Sequence, residues 1–543
     1  SENLEFKTRV GIPDGINVEA AETRYAYSRF VEFNYNFAVA HGLDNNLILD
    51  NTVTDIDAGG GDDIIIPVSG SSGSINGGEG NDTLTLTNAV SAGGKAIVDL
   101  NAGSLYLSSP DGSSSNSAAS NRDIASIENV VGTSGDDTLI AKGGQTSSVT
   151  FSGKGGDDYL VGGAGNDNLL GGTGDDVFTV ASGNDVITDL ATGDDVKVTD
   201  ANAKATANDV SNFAADSGTT NSGTFILNAA SGASTINMTD AGAGTYDIRG
   251  GSSGDTLTGS AQVDTLTGNG GDDTIQGKAG DDTMTGGAGA DTFKVDVGSD
   301  IITDLGGSSG GDSDVLIVSS GATANATNIV SFTAGGGSSN SSGTVNLTTQ
   351  TGGGTINMNA ASGDYNINGQ GGVDALTGGG GADIINGGAN ADAISGGNGD
   401  DVLSGGADND EMTGGAGADT FKVDFGTDTV KDLGGSSGGE TDVLIVSSGA
   451  TANATDITSF TASSSTKNEG AANLTTKVAG GTIDIGNSTT GAYSLTGLSG
   501  NDTLKGNGNA DTIIGGNGDD TIDGRGGNDI INAGGGDDII TVS

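Results

Sequence analysis

Several residue types are missing or scarce in this 543-residue sequence, and each shortage excludes a class of protein. There is no cysteine, which rules out disulfides and thiolate metal sites. Only 19 basic residues stand against 72 acidic ones, and this shortage of Lys and Arg argues against a nucleic-acid partner, whose phosphates need cations. No apolar run approaches the roughly 18 residues of a transmembrane segment. The N-terminus also lacks the continuous hydrophobic region of a cleavable signal peptide.

Motifs for catalysis are equally scarce. The only histidine is His41, so a zinc-binding HExxH motif is impossible and a Ser-His-Asp triad would have to use that residue. The pattern G-x-S-x-G occurs at 250–254, 306–310 and 434–438. An esterase elbow needs a strand before it and a helix after it, and no helical pattern follows these glycine-rich stretches. We therefore expect no catalytic residues, no organic cofactor and no enzyme activity.

What the sequence does contain is 102 glycines and a formal net charge of −53. Such a composition is typical of a disordered acidic chain, or of a repeat protein whose charge is neutralised by bound cations. Periodicity separates the two alternatives. The nine-residue unit G-G-x-G-x-D-x-U-x, where U is a large apolar residue, recurs without a gap at 162–170 and 171–179. A disordered linker would not keep an apolar residue at the eighth position of successive units.

In this register the units form four tandem arrays, at 153–179, 250–294, 369–422 and 497–541. Isolated units precede them around Asp63, Asp82 and Asp137. The aspartate of each unit is the candidate metal ligand, which gives Asp63, Asp82, Asp137, Asp158, Asp167, Asp176, Asp255, Asp273, Asp282, Asp291, Asp374, Asp383, Asp392, Asp401, Asp419, Asp502, Asp511, Asp520, Asp529 and Asp538. Asp264 and Asp410 lie in units that have lost glycines, so sites at those two turns are doubtful.

The chemistry of the unit favours a hard cation. Its glycines permit positive φ angles, which let the six-residue turn curl with its carbonyl groups inward, while the aspartate adds a charged oxygen. Oxygen-only ligands are typical of calcium. The x-U-x tripeptide predicts a short strand with one inward side chain. The predicted inward residues are Leu160, Leu169, Phe178, Leu257, Leu266, Ile275, Met284 and Phe293.

Charge repulsion makes the cation necessary. Carboxylates stacked about 4.8 Å apart repel by roughly 1 kcal/mol in water and about 3–4 kcal/mol at an effective dielectric constant near 20. A ladder of such pairs exceeds the roughly 5–15 kcal/mol stability of a folded protein. We therefore expect the arrays to be unfolded without cations and to fold when calcium binds.

Between the arrays lie spacers at 180–249, 295–368 and 423–496, rich in Ser, Thr, Ala and Gly. The segments 298–327 and 426–455 are near copies of each other, and 184–199 is a weaker copy. Short alternating runs in them predict strands of a continuing solenoid or of a sandwich rather than a flexible linker. The segment 19–41 is free of Gly and Pro and concentrates aromatic residues, which predicts a helix. It would serve as a subunit contact or anchor, or as a cap on the first coil.

The repeat arrays resemble the RTX family, the glycine- and aspartate-rich nonapeptide proteins secreted by Gram-negative bacteria. The resemblance implies right-handed parallel β-rolls with two units per turn, and calcium ions between successive turns on both edges. The aspartates given above would be ligands, together with carbonyl groups of the glycine turns. Residues 27–30 and 34–38 resemble a short helical element near the N-terminus of RTX surface-layer proteins.

The expected fold is therefore an all-β repeat protein of tandem calcium-binding β-rolls, with β-rich spacers and a short N-terminal helical segment. The expected segments are 1–50 (anchor or cap), 51–152 (degenerate repeats), 153–249, 250–368 and 369–496 (each an array with its spacer), and 497–543 (the last array). RTX substrates of type I secretion carry a signal beyond the repeats. Only a few residues follow Asp538, so we expect a processed product or a fragment.

The family occurs as secreted enzymes and toxins, as adhesins and as surface-layer proteins. About 50 residues precede the first repeat, too few for a usual catalytic domain. We therefore expect an extracellular, self-assembling structural protein of the bacterial cell surface, a homo-polymer with cell-surface polysaccharide or lipopolysaccharide as a further partner. The alternatives are an RTX adhesin or matrix protein, a virion fibre or decoration protein and, last, the repeat part of a secreted enzyme.

Overall fold

The computed structural model describes residues 29–33, 37–39, 44–49, 55–67, 73–108, 122–306, 313–435 and 441–541. Every regular element within these ranges is a β-strand. The chain divides into two compact units, one of Ser1–Asn228 with Asp240–Thr245 and one of Ala229–Thr239 with Tyr246–Ser543. The prediction of an all-β solenoid is confirmed. The division into six segments stays a prediction drawn from the repeat pattern.

The strands are short because each repeat supplies only one inward side chain, flanked by residues that face outward. The strands up to the end of the first unit are β1 Arg29–Phe33, β2 Phe37–Val39, β3 Asn45–Leu49, β4 Asp55–Asp57, β5 Ile64–Ile66, β6 Ile75–Asn76, β7 Thr83–Thr85, β8 Lys95–Asp99, β9 Ser104–Ser108, β10 Arg122–Ala125, β11 Asn129–Val131, β12 Thr138–Ile140, β13 Thr150–Gly155, β14 Tyr159–Val161, β15 Asn168–Thr173, β16 Val177–Val180, β17 Asn184–Ile187, β18 Asp195–Val198, β19 Lys204–Val210, β20 Asn212–Ala214, β21 Thr220–Asn221 and β22 Thr224–Ala229.

The second unit continues the same pattern of short strands. They are β23 Thr235–Asn237, β24 Tyr246–Arg249, β25 Thr256–Thr258, β26 Thr265–Gly270, β27 Thr274–Gln276, β28 Thr283–Ala288, β29 Thr292–Val295, β30 Ser299–Ile302, β31 Val315–Val318, β32 Thr323–Ile329, β33 Ser331–Thr333, β34 Ser339–Asn340, β35 Thr344–Thr349, β36 Thr355–Asn357, β37 Asn366–Asn368, β38 Ala375–Thr377, β39 Ile384–Ala389, β40 Ala393–Asn398, β41 Val402–Ala407, β42 Glu411–Ala416, β43 Thr420–Val423, β44 Thr427–Lys431, β45 Val443–Val446, β46 Thr451–Ile457, β47 Ser459–Thr461, β48 Lys467–Asn468, β49 Ala471–Thr476, β50 Thr482–Asp484, β51 Tyr493–Thr496, β52 Thr503–Lys505, β53 Thr512–Asn517, β54 Thr521–Asp523, β55 Ile530–Gly535 and β56 Ile539–Thr541.

Two nonapeptides make one coil, so each strand pairs in parallel with the strand 18 residues further along. In the second unit Leu257 lies beside Ile275, and Ile275 lies beside Phe293. The alternate units form the opposite sheet, where Leu266 lies beside Met284. All eight predicted inward residues are fully buried. The core of a coil is thus one stack of apolar side chains from each sheet.

The first unit contains one departure from parallel pairing. Its eleven-stranded sheet includes a hairpin in which β8 pairs with β9 antiparallel, and β9 pairs antiparallel with β10. On the far side β8 returns to the parallel register and pairs with β12. The hairpin therefore lies inside the degenerate region without ending the sheet.

The spacers form solenoid coils and not linkers, as the alternating runs predict. β31 pairs in parallel with β29 of the preceding array, and Val318 reaches Asn340 of β34. β32 and β35 pair with a register shift between Ala326 and Ile329. An equivalent shift separates Ala454 from Ile457 in the next spacer. The coils of the spacers are longer than 18 residues, and these bulges absorb part of the excess.

The predicted N-terminal helix is wrong for the part that the structure describes. β1 and β2 fall inside the segment 19–41, and β1 pairs in parallel with β3 from Arg29 opposite Asn45 to Phe33 opposite Leu49. The sequence R-F-V-E-F is rich in aromatic and β-branched residues, which favour strands when a partner strand is available. Residues 1–28, and His41 with its neighbours, lie outside the described residues.

Candidate metal sites

The sixth-position aspartates are joined by hydrogen bonds into what we term the inner ladder. Each backbone N–H donates to Oδ1 of the aspartate one coil further along the same edge. Asp255 donates to Asp273 at 2.6 Å, and Asp273 donates to Asp291 at 2.8 Å. Asp383 donates to Asp401 at 2.7 Å. The inner ladder therefore places one carboxylate per coil in the same position on each edge.

The second carboxylate oxygen of many inner aspartates has no partner. These Oδ2 atoms are buried and accept no hydrogen bond in Asp63, Asp82, Asp158, Asp185, Asp273, Asp282, Asp300, Asp374, Asp392, Asp401, Asp410, Asp428, Asp502 and Asp520. A buried charged oxygen without a partner costs several kcal/mol, on the order of 2–7 even for a neutral polar group. Such a repeated deficit indicates that something positive completes each turn.

The first glycine of the turn makes room at this oxygen. A Cβ atom placed on Gly268 would overlap with Oδ2 of Asp273 and would lie 2.5 Å from the carbonyl oxygen of Gly286. Gly286 is the equivalent glycine one coil further along, so the first glycine lies close to both a carboxylate of its own turn and a carbonyl group of the next. Equivalent overlaps occur at Gly378 with Asp383 and the carbonyl oxygen of Gly396.

Burial disfavours the charged form of the inner aspartates. It raises the pKa of Asp158 to about 8, and the N–H of Asp137 offsets this only in part, while repulsion from the neighbouring aspartates adds to it. Burial likewise raises the pKa of Asp282, Asp401 and Asp419 to about 7. At neutral pH the metal-free site therefore holds carboxyl groups that resist ionisation.

A second row of side chains, which we term the outer ladder, lies one residue earlier and is exposed. Here the Asp or Asn at the fifth position accepts a hydrogen bond from the N–H one coil later, the opposite direction to the inner ladder. Ala290 donates to Asp272 at 2.9 Å, and Ser299 donates to Asp281 at 2.8 Å. The frequent pairs DD and ND in the turns are the sequence signal for the outer ladder. The sixth-position aspartates alone do not reveal this row.

The structure brings the predicted ligands together edge by edge. The inner links of the first unit join Asp63 to Asp82, Asp137 to Asp158 and Asp176, and Asp167 to Asp185. Those of the second unit join Asp255, Asp273 and Asp291; Asp264, Asp282 and Asp300; Asp374, Asp392 and Asp410; Asp383, Asp401 and Asp419; Asp502, Asp520 and Asp538; and Asp511 and Asp529. Their assignment as ligands stays a prediction.

The two turns described as doubtful behave differently from each other. Asp410 accepts the N–H of Asp392 at 2.9 Å, and its Oδ2 is buried without a partner, as in the intact repeats. Asp264 also joins the inner ladder, at 2.8 Å from Tyr246, but its Oδ2 accepts hydrogen bonds from both the N–H and the hydroxyl of Ser260. The loss of the fourth-position glycine thus leaves the Asp410 turn unchanged in this respect.

The inner ladder also continues into residues that the nine-residue pattern does not mark. Glu128 takes the place after Asp82, at 2.9 Å. In the spacers the added members are Asp185, Asp194, Asp300, Asp314, Asp428 and Asp442. The spacer copies themselves were the available signal, because they carry an aspartate at each of these places. Asp314 follows Asp291 by 23 residues, which is not a multiple of nine, so a nine-residue period does not reach Asp314.

These residues fit calcium. No three Asp, Glu, His or Cys side chains converge on a metal centre within the described ranges. The oxygens instead come singly, a carboxylate from one turn beside carbonyl groups of its neighbour, which is an all-oxygen environment of the type calcium prefers. The open Oδ2 atoms and the glycine carbonyl groups beside them would hold the ion. Calcium would supply the positive charge that lets the buried carboxylates ionise.

The remaining candidates are the three G-x-S-x-G matches and any helix that could span a membrane. The segment 250–254, one of the G-x-S-x-G matches, lies in a solenoid turn between β24 and β25, with strands on both sides. The parts of the other two matches at 307–310 and 436–438 lie outside the described residues. No helix in the described part of the chain is long and apolar enough to cross a membrane.

Comparison with known families gives a specific match. The model of the RTX calcium-binding nonapeptide repeat matches residues 69–86, 152–187, 249–283, 267–302, 368–403, 395–430, 489–522 and 505–540. The matched segments include the four arrays and stop short of most of each spacer. None of the curated proteins matches the chain. The expectation of calcium-binding repeats, typical of secreted proteins, is thereby confirmed.

Proposed function

We propose that this RTX-repeat protein is an extracellular structural protein of the bacterial cell surface, which folds and assembles into a lattice or filament when it binds calcium. The observation that carries the proposal is the inner ladder with its buried, unpartnered Oδ2 atoms. A fold that repeats this deficit coil after coil depends on an external cation. Millimolar calcium outside the cell would supply it, since extracellular calcium modules commonly bind in the range of about 10⁻⁴–10⁻³ M.

The outer ladder supports assembly. Its aspartates, such as Asp157, Asp272, Asp281 and Asp400, are exposed and stand one per coil along the edge. One carboxylate oxygen of each accepts a backbone N–H, which fixes the side chain in place. Regularly spaced, fixed carboxylates repel an equivalent row on a second copy unless a divalent cation lies between them. Calcium would therefore both fold the coils and join copies of the chain.

Nothing in the described turns resembles a catalytic centre, and the proposal is that the chain has no enzyme activity of its own. The described coils of each unit present a regular row of exposed acidic side chains at their edge. Cell-surface polysaccharide or lipopolysaccharide would be held through the same exposed carboxylates and bridging calcium, since lipopolysaccharide phosphates are also anionic.

Electron microscopy of the purified protein tests the proposal. We expect sheets or filaments at millimolar calcium, which disappear on chelation, and no assembly when magnesium replaces calcium. A variant with Asp157, Asp272, Asp281 and Asp400 changed to Asn keeps an Oδ1 acceptor at each outer position but removes four charges. We expect it to fold in calcium and to lose assembly. Wild-type protein that is folded but monomeric at millimolar calcium would contradict the structural role and favour an adhesin or matrix module.

A further inference from the structure

Two classes of inner aspartate differ in what their Oδ2 atom contacts. In an open turn, Oδ2 is buried and accepts no hydrogen bond. In a closed turn, Oδ2 accepts the N–H of the second residue of the same turn. Oδ2 of Asp383 accepts from Gly379 at 2.7 Å, and Oδ2 of Asp255 accepts from Gly251 at 2.6 Å. The closed turns are those of Asp137, Asp167, Asp255, Asp264, Asp383 and Asp511.

Closed turns occupy one place in the arrays. Each of the six aspartates is the first on its edge, since the residue that donates to its Oδ1 is not an inner aspartate but, for Asp264, Asp383 and Asp511, a tyrosine N–H. The next turn on the same edge leaves Oδ2 without a partner in Asp282 and Asp401. Further along, Oδ2 of Asp194, Asp314 and Asp442 again accepts a backbone N–H. Asp374 and Asp502 also begin an edge but have open Oδ2 atoms.

The backbone of the second residue differs between the classes in most nonapeptides, and Leu498 before the open Asp502 is an exception without positive φ. In the open turns of Asp282, Asp392 and Asp401 this residue is Lys278, Gly388 or Gly397, with φ of 78°, 105° and 114°. None of the six closed turns has a second residue with positive φ. A lysine held at positive φ costs on the order of 1–2 kcal/mol. The open conformation is therefore adopted even where the local sequence opposes it.

Three open aspartates lie in turns without the glycine pair. Asp185, Asp300 and Asp428 are 0% exposed, and their Oδ2 atoms have no partner. The first position of these turns is Val180, Val295 or Val423. At the first of them, a Cβ on Gly162 would lie 2.6 Å from Oδ2 of Asp185 and 2.9 Å from Oδ2 of Asp167. Carboxyl oxygens from two successive coils thus approach one point beside the first glycine of an intact repeat.

We propose that calcium occupies the open turns only. Asp185, Asp300 and Asp428 then bind calcium although their turns lack the glycine pair. The six closed turns bind none through their aspartate, although five of them carry predicted ligands. Each closed turn is the first on its own edge, and its Oδ2 already has a backbone partner. This inference rests on the calcium dependence proposed above and assigns the sites within it.

The test is the number of calcium ions bound by the full chain, counted by native mass spectrometry at saturating calcium. Asp383→Asn, Asp401→Asn and Asp428→Asn each remove one charge from a buried inner position. We expect Asp401→Asn and Asp428→Asn each to bind at least one ion fewer than wild type, and Asp383→Asn to bind the wild-type number. Equal losses in Asp383→Asn and Asp401→Asn, or no loss in Asp428→Asn, would overturn the inference.

A second set of variants covers the case in which Asp401→Asn does not fold, as judged by circular dichroism in calcium. Asp264→Asn, Asp282→Asn and Asp300→Asn repeat the comparison on another edge, where Asp264 is closed and the other two are open. The same pattern of losses is expected. If wild-type protein binds no calcium, both this inference and the proposed function are wrong. If wild-type protein binds calcium but does not assemble, only the proposed assembly is wrong.

Discussion

The N–H of Asp383 donates a 2.7 Å hydrogen bond to Oδ1 of Asp401, which lies 18 residues later at the same position of the next coil. Both side chains are buried, and repulsion from Asp383 is one of the causes that raise the pKa of Asp401 to about 7. The hydrogen bond fixes the carboxyl group of Asp401, and its Oδ2 is left without a partner. This relationship between neighbouring coils leads to the predictions below.

We expect calcium-free protein to gain stability on acidification. Burial raises the pKa of Asp401 and Asp419 to about 7 from an ordinary value of 3.8, so the folded state keeps protons that the unfolded state has lost. The contribution of these groups is fully present below about pH 4 and is lost as pH rises through about 7. The β-sheet circular dichroism signal of calcium-free protein, followed from pH 8 to pH 5, measures this. A signal that does not grow on acidification would contradict it.

Calcium binding should release protons from calcium-free protein that acid has folded. In that state Asp158, with a pKa raised to about 8 by burial, holds a proton, and the ion must displace it to bind the carboxylate. We expect calcium affinity to be lower at pH 5 than at pH 7. Isothermal titration calorimetry at pH 5 in two buffers of different ionisation enthalpy counts the protons. Identical heats in both buffers would show that no proton is released.

Gly268→Ala should disrupt one cation position. The added Cβ would overlap with Oδ2 of Asp273 and crowd the carbonyl oxygen of Gly286. Overpacking of this kind costs on the order of 1–3 kcal/mol, and we also expect one bound ion to be lost. Gly336→Ala is the matched control, because nothing lies within 4 Å of its added Cβ. Equal denaturation midpoints for the two variants in calcium would refute the prediction.

Phe293→Ala should destabilise the calcium-bound protein by about 3–5 kcal/mol. Phe293 is fully buried between Ile275 and Leu316 in one stack, so the cavity has few neighbours that could collapse into it. Val297, which is 61% exposed, provides the control Val297→Ala, with an expected change within about 0.5 kcal/mol. Guanidinium denaturation in excess calcium gives both values. A decrease of less than about 1 kcal/mol in the free energy of unfolding for Phe293→Ala would show that the stack of apolar side chains contributes little to stability.

Much of the fold could be predicted from the sequence, because one period fixes both the inward residue and the aspartate. Asp255, Asp273 and Asp291 recur at intervals of 18 residues, and so do the buried Leu257, Ile275 and Phe293. The helix expected over 19–41 is wrong at 29–33 and 37–39, because the absence of Gly and Pro permits a strand as readily as a helix. Its pairing with Asn45–Leu49 is a tertiary effect that local sequence does not contain.

The candidate site was predicted less completely. Asp314 and Asp442 join the inner ladder 23 residues after Asp291 and Asp419, so a count in nines passes over them. In most nonapeptides the open turns differ from the closed ones in the φ angle of the second residue. Lys278 and Gly163 show that residue type does not reveal it, since the lysine has positive φ and the glycine does not.

Far-ultraviolet circular dichroism of the full chain at pH 7.4 tests most directly whether folding depends on calcium. Protein freed of calcium is expected to lack the β-sheet signal. Millimolar calcium is expected to restore the signal, and the same concentration of magnesium is not. The reason is the stacked buried carboxylates, which have no positive partner of their own. A full β-sheet spectrum in the presence of chelator would contradict the claim that calcium binding supplies the folding free energy.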